Sequence, residues 1–191
     1  MKNDIVLFGV QGSGKGTQAK RLAEEFGYEI FEAGGELRKI VSSGSELGQT
    51  VKSYIEAGNL VPHEIIMQVV REAIEGRDSD TSILFDGIPR DADQQIEFEK
   101  IMKDVGRSVI CIQIKLEDDE AVRRILGRAE KEGRADDADE EVIKKRIDTF
   151  HGKTVPAIAK YADKGLLRVV DGDGTVDEVY ERLKTAIIQT S

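Results

Sequence analysis

Lys15 lies in the loop Gly9-Val10-Gln11-Gly12-Ser13-Gly14-Lys15-Gly16-Thr17, which has four glycines in nine positions after the apolar run Asp4–Phe8. A glycine-rich turn between a strand and a helix aims successive backbone N–H groups at one point. The helix N-terminus adds partial positive charge there, so the loop is an anion cradle. Gly12, Gly14 and Gly16 let the backbone approach an oxyanion, and Lys15 adds a point charge suited to the β and γ phosphates of a nucleoside triphosphate. The pattern G-x-x-x-x-G-K runs from Gly9 to Lys15, but Gly16 stands where the common phosphate loop has serine or threonine, and Thr17 follows one place later. With no hydroxyl at the usual metal-ligating position, Mg²⁺ is expected to be held by phosphates and water, with Thr17 and Asp86 as protein contributors.

Asp86 ends the apolar run Ser82–Phe85, where a carboxylate can hold the water shell of Mg²⁺, although an Asp-Gly pair alone is also ordinary turn chemistry. Arg124 and Arg128 are four apart and share a helix face, while Arg134 and Arg146 flank a polar stretch. Any one of these arginines, taken singly, reads as a surface ion pair. Several converging in an acidic chain point to a polyanionic ligand.

Short β-branched runs at 4–10, 29–33, 82–87, 108–114 and 166–171 alternate with longer stretches of helical period, the pattern of parallel strands joined by crossover helices. Ala19, Leu22, Ala23 and Phe26 fall on one helix face and Gly27 follows as a stop. Residues 35–77 carry several helical patterns and no strand, which predicts a helical excursion outside the sheet. A second excursion is expected at 127–141, nearly devoid of apolar residues, and Val176, Val179, Tyr180, Leu183 and Ile187 mark a closing amphipathic helix.

The 191 residues suit one domain with a substantial core. Net charge is −9, from 28 basic and 37 acidic residues, so the surface field disfavours nucleic acid and anionic lipid as partners. One cysteine, Cys111, excludes an internal disulfide and a multi-cysteine zinc site, and its apolar run makes it an inert buried thiol. The N-terminal run is unlike a signal peptide, no stretch is long and apolar enough for a membrane span, and a cytoplasmic location is expected.

In order and spacing, Gly12-Ser13-Gly14-Lys15-Gly16-Thr17-Gln18, Asp86-Gly87-Ile88-Pro89-Arg90 and Gly133-Arg134-Ala135-Asp136-Asp137 resemble the nucleoside monophosphate kinases, most of all the adenylate kinases. The resemblance continues through Ser43–Gly48, Ala57–Val61 and Val170–Val179, essentially the whole chain. It implies an α/β fold of the P-loop NTPase type, a five-stranded parallel sheet flanked by helices. Residues 1–191 would be a single kinase domain with a helical NMP-binding subdomain at 32–61 and a short lid at 127–137.

By the same resemblance ATP would lie on Gly12, Ser13, Gly14, Lys15, Gly16, Thr17, Arg128 and Gly174, and AMP on Ala33, Arg38, Asn59, Leu60, Val61, Gly87, Ile88, Pro89, Arg90, Gln94, Arg134 and Arg146. Arg134 and Arg146 would touch the phosphates in flight, and Lys15, Arg90, Arg124, Arg134 and Arg146 would form the catalytic set. Arginine suits this work because its planar fork binds two phosphate oxygens at once. Five residues separate Arg128 from Arg134, without the cysteine-bearing insertion of longer lids, so no structural zinc is expected. The partners implied are ATP, AMP and ADP with Mg²⁺, acting on a monomer. His63 and His151 read as ordinary surface or helix-end residues, because an acceptor phosphate is already an anionic nucleophile and needs no imidazole base.

Two positions pull the acceptor assignment apart. Adenylate kinases usually have Thr-Gly-Asp before the acceptor helix, whereas this chain has Ala33-Gly34-Gly35, and alanine there resembles UMP/CMP kinases. Gln94 matches the glutamine of adenylate kinases, and an amide can donate to and accept from an adenine edge. That bidentate contact favours AMP, with a UMP/CMP kinase or a relaxed-specificity enzyme as the alternative. Gln11 replaces a proline usual in the loop and predicts a more flexible turn. A nucleotide switch is a poorer reading, since a guanine-reading Asn-Lys-x-Asp string is absent, and a kinase of some other small molecule is the remaining rival.

Overall fold

β1 (Asp4–Phe8) is buried at every position, the mark of a central parallel strand covered on both faces. In this computed structural model, which describes residues 3–132 and 139–188, it is flanked by β3 (Ile83–Asp86) and β4 (Val109–Lys115). β2 (Glu29–Glu32) lies outside β3 and β5 (Leu167–Asp171) outside β4, all pairs parallel, in the order β2-β3-β1-β4-β5. All five expected strands are present, with ends shifted by at most two residues.

Alternation along each strand divides the core between the two faces. Ile5, Leu7, Leu84, Ile112 and Ile114 face α1 (Lys15–Phe26) and α9 (Val176–Ile188), which contribute Ala19, Leu22, Val179, Tyr180 and Leu183. Val6, Phe8, Phe31 and Phe85 face α4 (His63–Glu75), α5 (Ala92–Asp104) and α8 (Val155–Asp163), where Phe98 meets Phe85 edge-on at 5.0 Å and Tyr161 packs on Phe8. Cys111 is fully buried among them, and burial pushes its thiol far up, as an inert cysteine requires. Gly27 ends α1 in the left-handed conformation, its N–H on Ala23 O at 2.8 Å.

The excursion predicted for 35–77 consists of α2 (Ala33–Ser42), α3 (Glu46–Glu56) and α4. α6 (Asp118–Glu132) and α7 (Glu140–Thr149) form a smaller apolar patch with Val10 beside the glycine loop, and a π-helical turn at Phe150–Thr154 leads from α7 into α8. Of the segment expected to form the lid, 127–132 continues α6, whereas Arg134 and its neighbours lie outside the described residues. Among the described residues no helix is long and apolar enough to cross a membrane.

At the amino ends of the strands Asp4, 2 % exposed, accepts from Ile83 N at 2.7 Å and from Arg107 Nη1 at 3.1 Å. The same guanidinium donates to Thr81 O and Asp78 O, so one ion pair ties β1, β3 and the start of β4 together. Removing one partner of such a buried pair strands the other without compensation. Asp4→Ala should therefore lower unfolding free energy by about 3 kcal/mol or more, read as a lower urea midpoint at an unchanged slope.

Candidate active site

The carboxyl ends of β1, β3 and β2, with the elements that follow them, surround one cavity of about 890 Å³. It lies where the strand order reverses around β1, the place where open parallel sheets gather ligands. Every site residue expected from the sequence within the described residues lines it: Gly12 to Thr17, Ala33, Arg38, Asn59 to Val61, Asp86 to Arg90, Gln94, Arg124, Arg128, Arg146 and Gly174. Arg134 lies outside the described residues.

At Gly9 and Gly12 the glycine loop is fixed by contacts that leave no room for a side chain. Gly12 has φ +85°, and a Cβ there would meet Ala121 O of α6 at 2.6 Å. Gly14 caps α1 with φ +89° and no side-chain hydrogen bond, so the N–H groups of the first turn remain available to a ligand. Lys15 Nζ bonds Gly9 O at 2.7 Å and Val10 O at 3.0 Å. Burial pulls its ammonium down to about 8, against the pull of the Asp86 charge.

Asp86 is 7 % exposed, and no described residue donates a hydrogen bond to its carboxylate. Burial raises its carboxyl above the ordinary range, with Lys15 opposing and Glu32 adding to the rise. A Cβ on Gly16 would lie 3.8 Å from Asp86 Oδ2, so the missing side chain leaves open space beside the carboxylate. A buried carboxylate without a donor, at the foot of a phosphate loop and with open space beside it, suits a hydrated divalent cation.

The arginines come from four separate segments. Arg90 Nε donates to Gly87 O at 2.8 Å; Gly87 itself has φ +84°, and a Cβ there would crowd Arg90 Nη2. Although Arg90 opens on the cavity, surrounding protein atoms pull it below its ordinary value, with Asp86 opposing. Thr154 Oγ1 holds Arg90 O at 2.7 Å. Arg124 Nε pairs with Glu120 Oε1 at 2.6 Å, Arg38 Nη2 with Glu32 Oε1 at 2.7 Å, and Arg146 Nη2 donates to Ile55 O at 3.1 Å. Arg146 Nη1 is 3.5 Å from Gln11 Oε1, which brings the residue that replaced proline beside a site arginine.

Gln94, 2 % exposed, departs from expectation in one respect. Its Oε1 accepts from Arg90 N at 2.8 Å, so part of the amide's accepting capacity serves the chain, leaving Nε2 as its pocket donor. Gly174 has φ +114° in the turn before α9, and Gln18 Nε2 fastens that turn to α1 through Val176 O at 2.9 Å. His63 and His151 lie outside the cavity on Glu97 and Asp118.

Glu32, Glu120 and Thr154 have no role assigned from the sequence, and Gln18 is marked there only as the end of the loop motif. Each lines the cavity. For Glu120 the spacing to Arg124 was a usable signal, since residues four apart face one another on a helix. For Glu32 only the pairing of β2 with β3, invisible in the sequence, shows that it stands beside Asp86.

Comparison with known proteins agrees with this geometry. The family model described as adenylate kinase matches residues 7–166. The adenylate kinase of Thermus thermophilus is 39 % identical over 184 residues, covering 96 % of each chain. That of Maricaulis maris is 39 % identical over 96 % of this chain and 98 % of its own, and that of Phocaeicola vulgatus 35 % over 96 % and 97 %. With one cavity gathering the phosphate loop, Asp86 and the arginines, and with relatives aligned along almost their full length, the chain belongs to the adenylate kinase family.

Proposed function

We propose that the protein transfers the γ-phosphoryl group of ATP reversibly to AMP, giving two ADP. The carrying observation is the single cavity in which Lys15, Asp86 and arginines from four segments face one another. The glycine-loop amides and Lys15 bind the donor's β and γ phosphates, with Arg128 and the Gly174 turn on the rest of that nucleotide. Arg38 and Arg90 hold the acceptor phosphate, and Ala33, Asn59 to Val61, Gly87 to Pro89 and Gln94 frame its nucleoside. Gln94 Nε2 donates to the acceptor base, while the opposing Ala33 signal is explained by tolerance of a small side chain there.

The acceptor phosphate is already an anionic nucleophile, so no general base is required. Lys15, Arg90, Arg124 and Arg146 neutralise the charge that spreads over the transferring group, and Arg134 joins them from the lid. Asp86, with Thr17, would hold Mg²⁺ through water, and the ion would supply positive charge against the negative charge of the transferring group. Closing 127–137 and 32–61 over both nucleotides excludes water, the competing acceptor. We take the protein as a cytoplasmic monomer with nucleotides as its partners; the net charge of −9 disfavours nucleic acid.

Lys15→Ala should fold normally and lower kcat by about 10²-fold or more; near-normal turnover would remove Lys15 from the mechanism. Offered AMP, CMP, UMP, GMP and dTMP in parallel with Mg-ATP, the enzyme should prefer AMP, and Gln94→Ala should shrink that preference by about tenfold. Preference for UMP or CMP would instead make Ala33 the better guide.

The depressed Lys15 value fixes a pH dependence. Below pH 8 the free enzyme carries the charged ammonium that phosphate favours; above it, binding must first take up a proton. ATP should bind about tenfold more weakly at pH 9 than at pH 7, with proton uptake seen by calorimetry in buffers of different ionisation enthalpy. Lys15→Arg should flatten that slope.

A further inference from the structure

Glu32 closes β2 in register with Asp86 on β3, so two carboxylate residues end neighbouring strands at the same cavity. Glu32 is also the residue before the first turn of α2, and its side chain folds back over that turn. A Cβ on Gly35 would lie 3.2 Å from Glu32 Oε2, and one on Gly34 3.6 Å from Oε1. Gly35 is the position where the resembling kinases carry aspartate, and in this chain the space around it is filled by the Glu32 carboxylate instead. That carboxylate makes no cap hydrogen bond; its partner is Arg38 Nη2 at 2.7 Å, with both side chains nearly half exposed.

Asp86 presents the complementary problem. It is nine-tenths buried, faces the cavity and receives no hydrogen bond from a described residue, because Lys15 directs its own to loop carbonyls. A phosphate dianion binds a guanidinium fork more strongly than an exposed carboxylate does. An acceptor phosphate arriving on Arg38 therefore frees Glu32, and the freed charge stands beside Asp86, a like-charge arrangement that a divalent cation relieves.

We infer that Glu32 is a positioning residue with two partners: it holds Arg38 while the acceptor site is empty, and with acceptor bound it joins Asp86 around the hydrated divalent cation. This rests on the nucleotide kinase reading above. Its consequence is a positive coupling between acceptor and metal, reciprocal by linkage. The carboxylate absent from position 35 is supplied from position 32.

The test uses the full chain and two binding measurements: AMP by calorimetry, and Mn²⁺ by electron paramagnetic resonance in the presence of a non-hydrolysable ATP analogue, with and without AMP. In the wild type AMP should tighten Mn²⁺ binding about fivefold or more. Glu32→Gln should bind AMP about two- to fivefold more tightly, since Arg38 loses its competitor, yet with AMP bound it should hold Mn²⁺ more weakly than the wild type does, because its Mn²⁺ affinity no longer responds to AMP. A merely structural role would weaken both ligands together. The double variant Glu32→Ser with Gly35→Asp should restore Mn²⁺ affinity while keeping AMP binding tight. Unchanged or weaker AMP binding in Glu32→Gln, or an Mn²⁺ affinity in the presence of AMP equal to the wild type's, overturns the role of Glu32. Failure of AMP to bind the wild type overturns instead the acceptor reading beneath it.

Discussion

A half-buried ammonium and a buried carboxylate, Lys15 and Asp86, face each other across the carboxyl ends of two adjacent parallel strands, and the rest of the site depends on keeping both charged. Leu7 and Asp86 are register partners, so the β1–β3 pairing sets where the carboxylate stands relative to the loop that follows β1. Burial works against each group separately, lowering Lys15 and raising Asp86, while each one's charge counters the shift of the other. A hydrophobic pair would pack there at less cost. What this arrangement supplies instead is a fixed field at the point where phosphate and cation must meet.

The remaining cations answer the same problem differently. Arg38 rests on Glu32, Arg124 on Glu120, Arg146 on Ile55 O and Arg90 on Gly87 O. Each guanidinium thus has a protein acceptor, which restrains a long side chain and reduces repulsion among like charges in one cavity. Phosphate then exchanges acceptors rather than ordering disordered arginines, and preorganised groups of this kind lose little entropy on binding. The partners differ in what exchange releases. A backbone carbonyl left behind is neutral, whereas Glu32 and Glu120 are left as charges inside an anion-binding site.

How much of this was legible in the sequence follows from the range of each interaction. Strands β1 and β4 could be read because a strand buried on both faces is an unbroken apolar run, and α1 because its apolar face and stop glycine are local. The glycine loop carried its own chemistry in its spacing. The convergence of Arg38, Arg90, Arg124, Arg128 and Arg146 had no local signature; helix spacing joined only Arg124 to Arg128, and the rest came from resemblance to known kinases. Glu32 escaped because a glutamate in Glu29-Ile30-Phe31-Glu32 reads as the wet face of an edge strand, and both glutamates there are exposed. The sequence marks Gln94 as an amide able to donate and accept, and only the fold shows its side-chain oxygen turned to Arg90 N.

The departures of this chain from its relatives' pattern become intelligible when position in space replaces position in sequence. Gly35 lacks the usual carboxylate, but Gly34 and Gly35 together leave the first turn of α2 bare, and the Glu32 carboxylate lies over them. Gln11 lacks proline's fixed φ, but its side-chain amide oxygen stands near Arg146. Gly16 lacks a hydroxyl, and the space it leaves adjoins the Asp86 carboxylate, where water can serve as a ligand. Each change removes a group from the backbone position where a pattern search looks for it. At Gly35 a carboxylate from position 32 reaches the same part of the cavity, at Gln11 the new side chain brings an amide oxygen beside Arg146, and at Gly16 the vacated space is left to solvent. Phosphate and cation respond to charge and distance, so a cradle can keep its field while the residues that generate it exchange places along the chain.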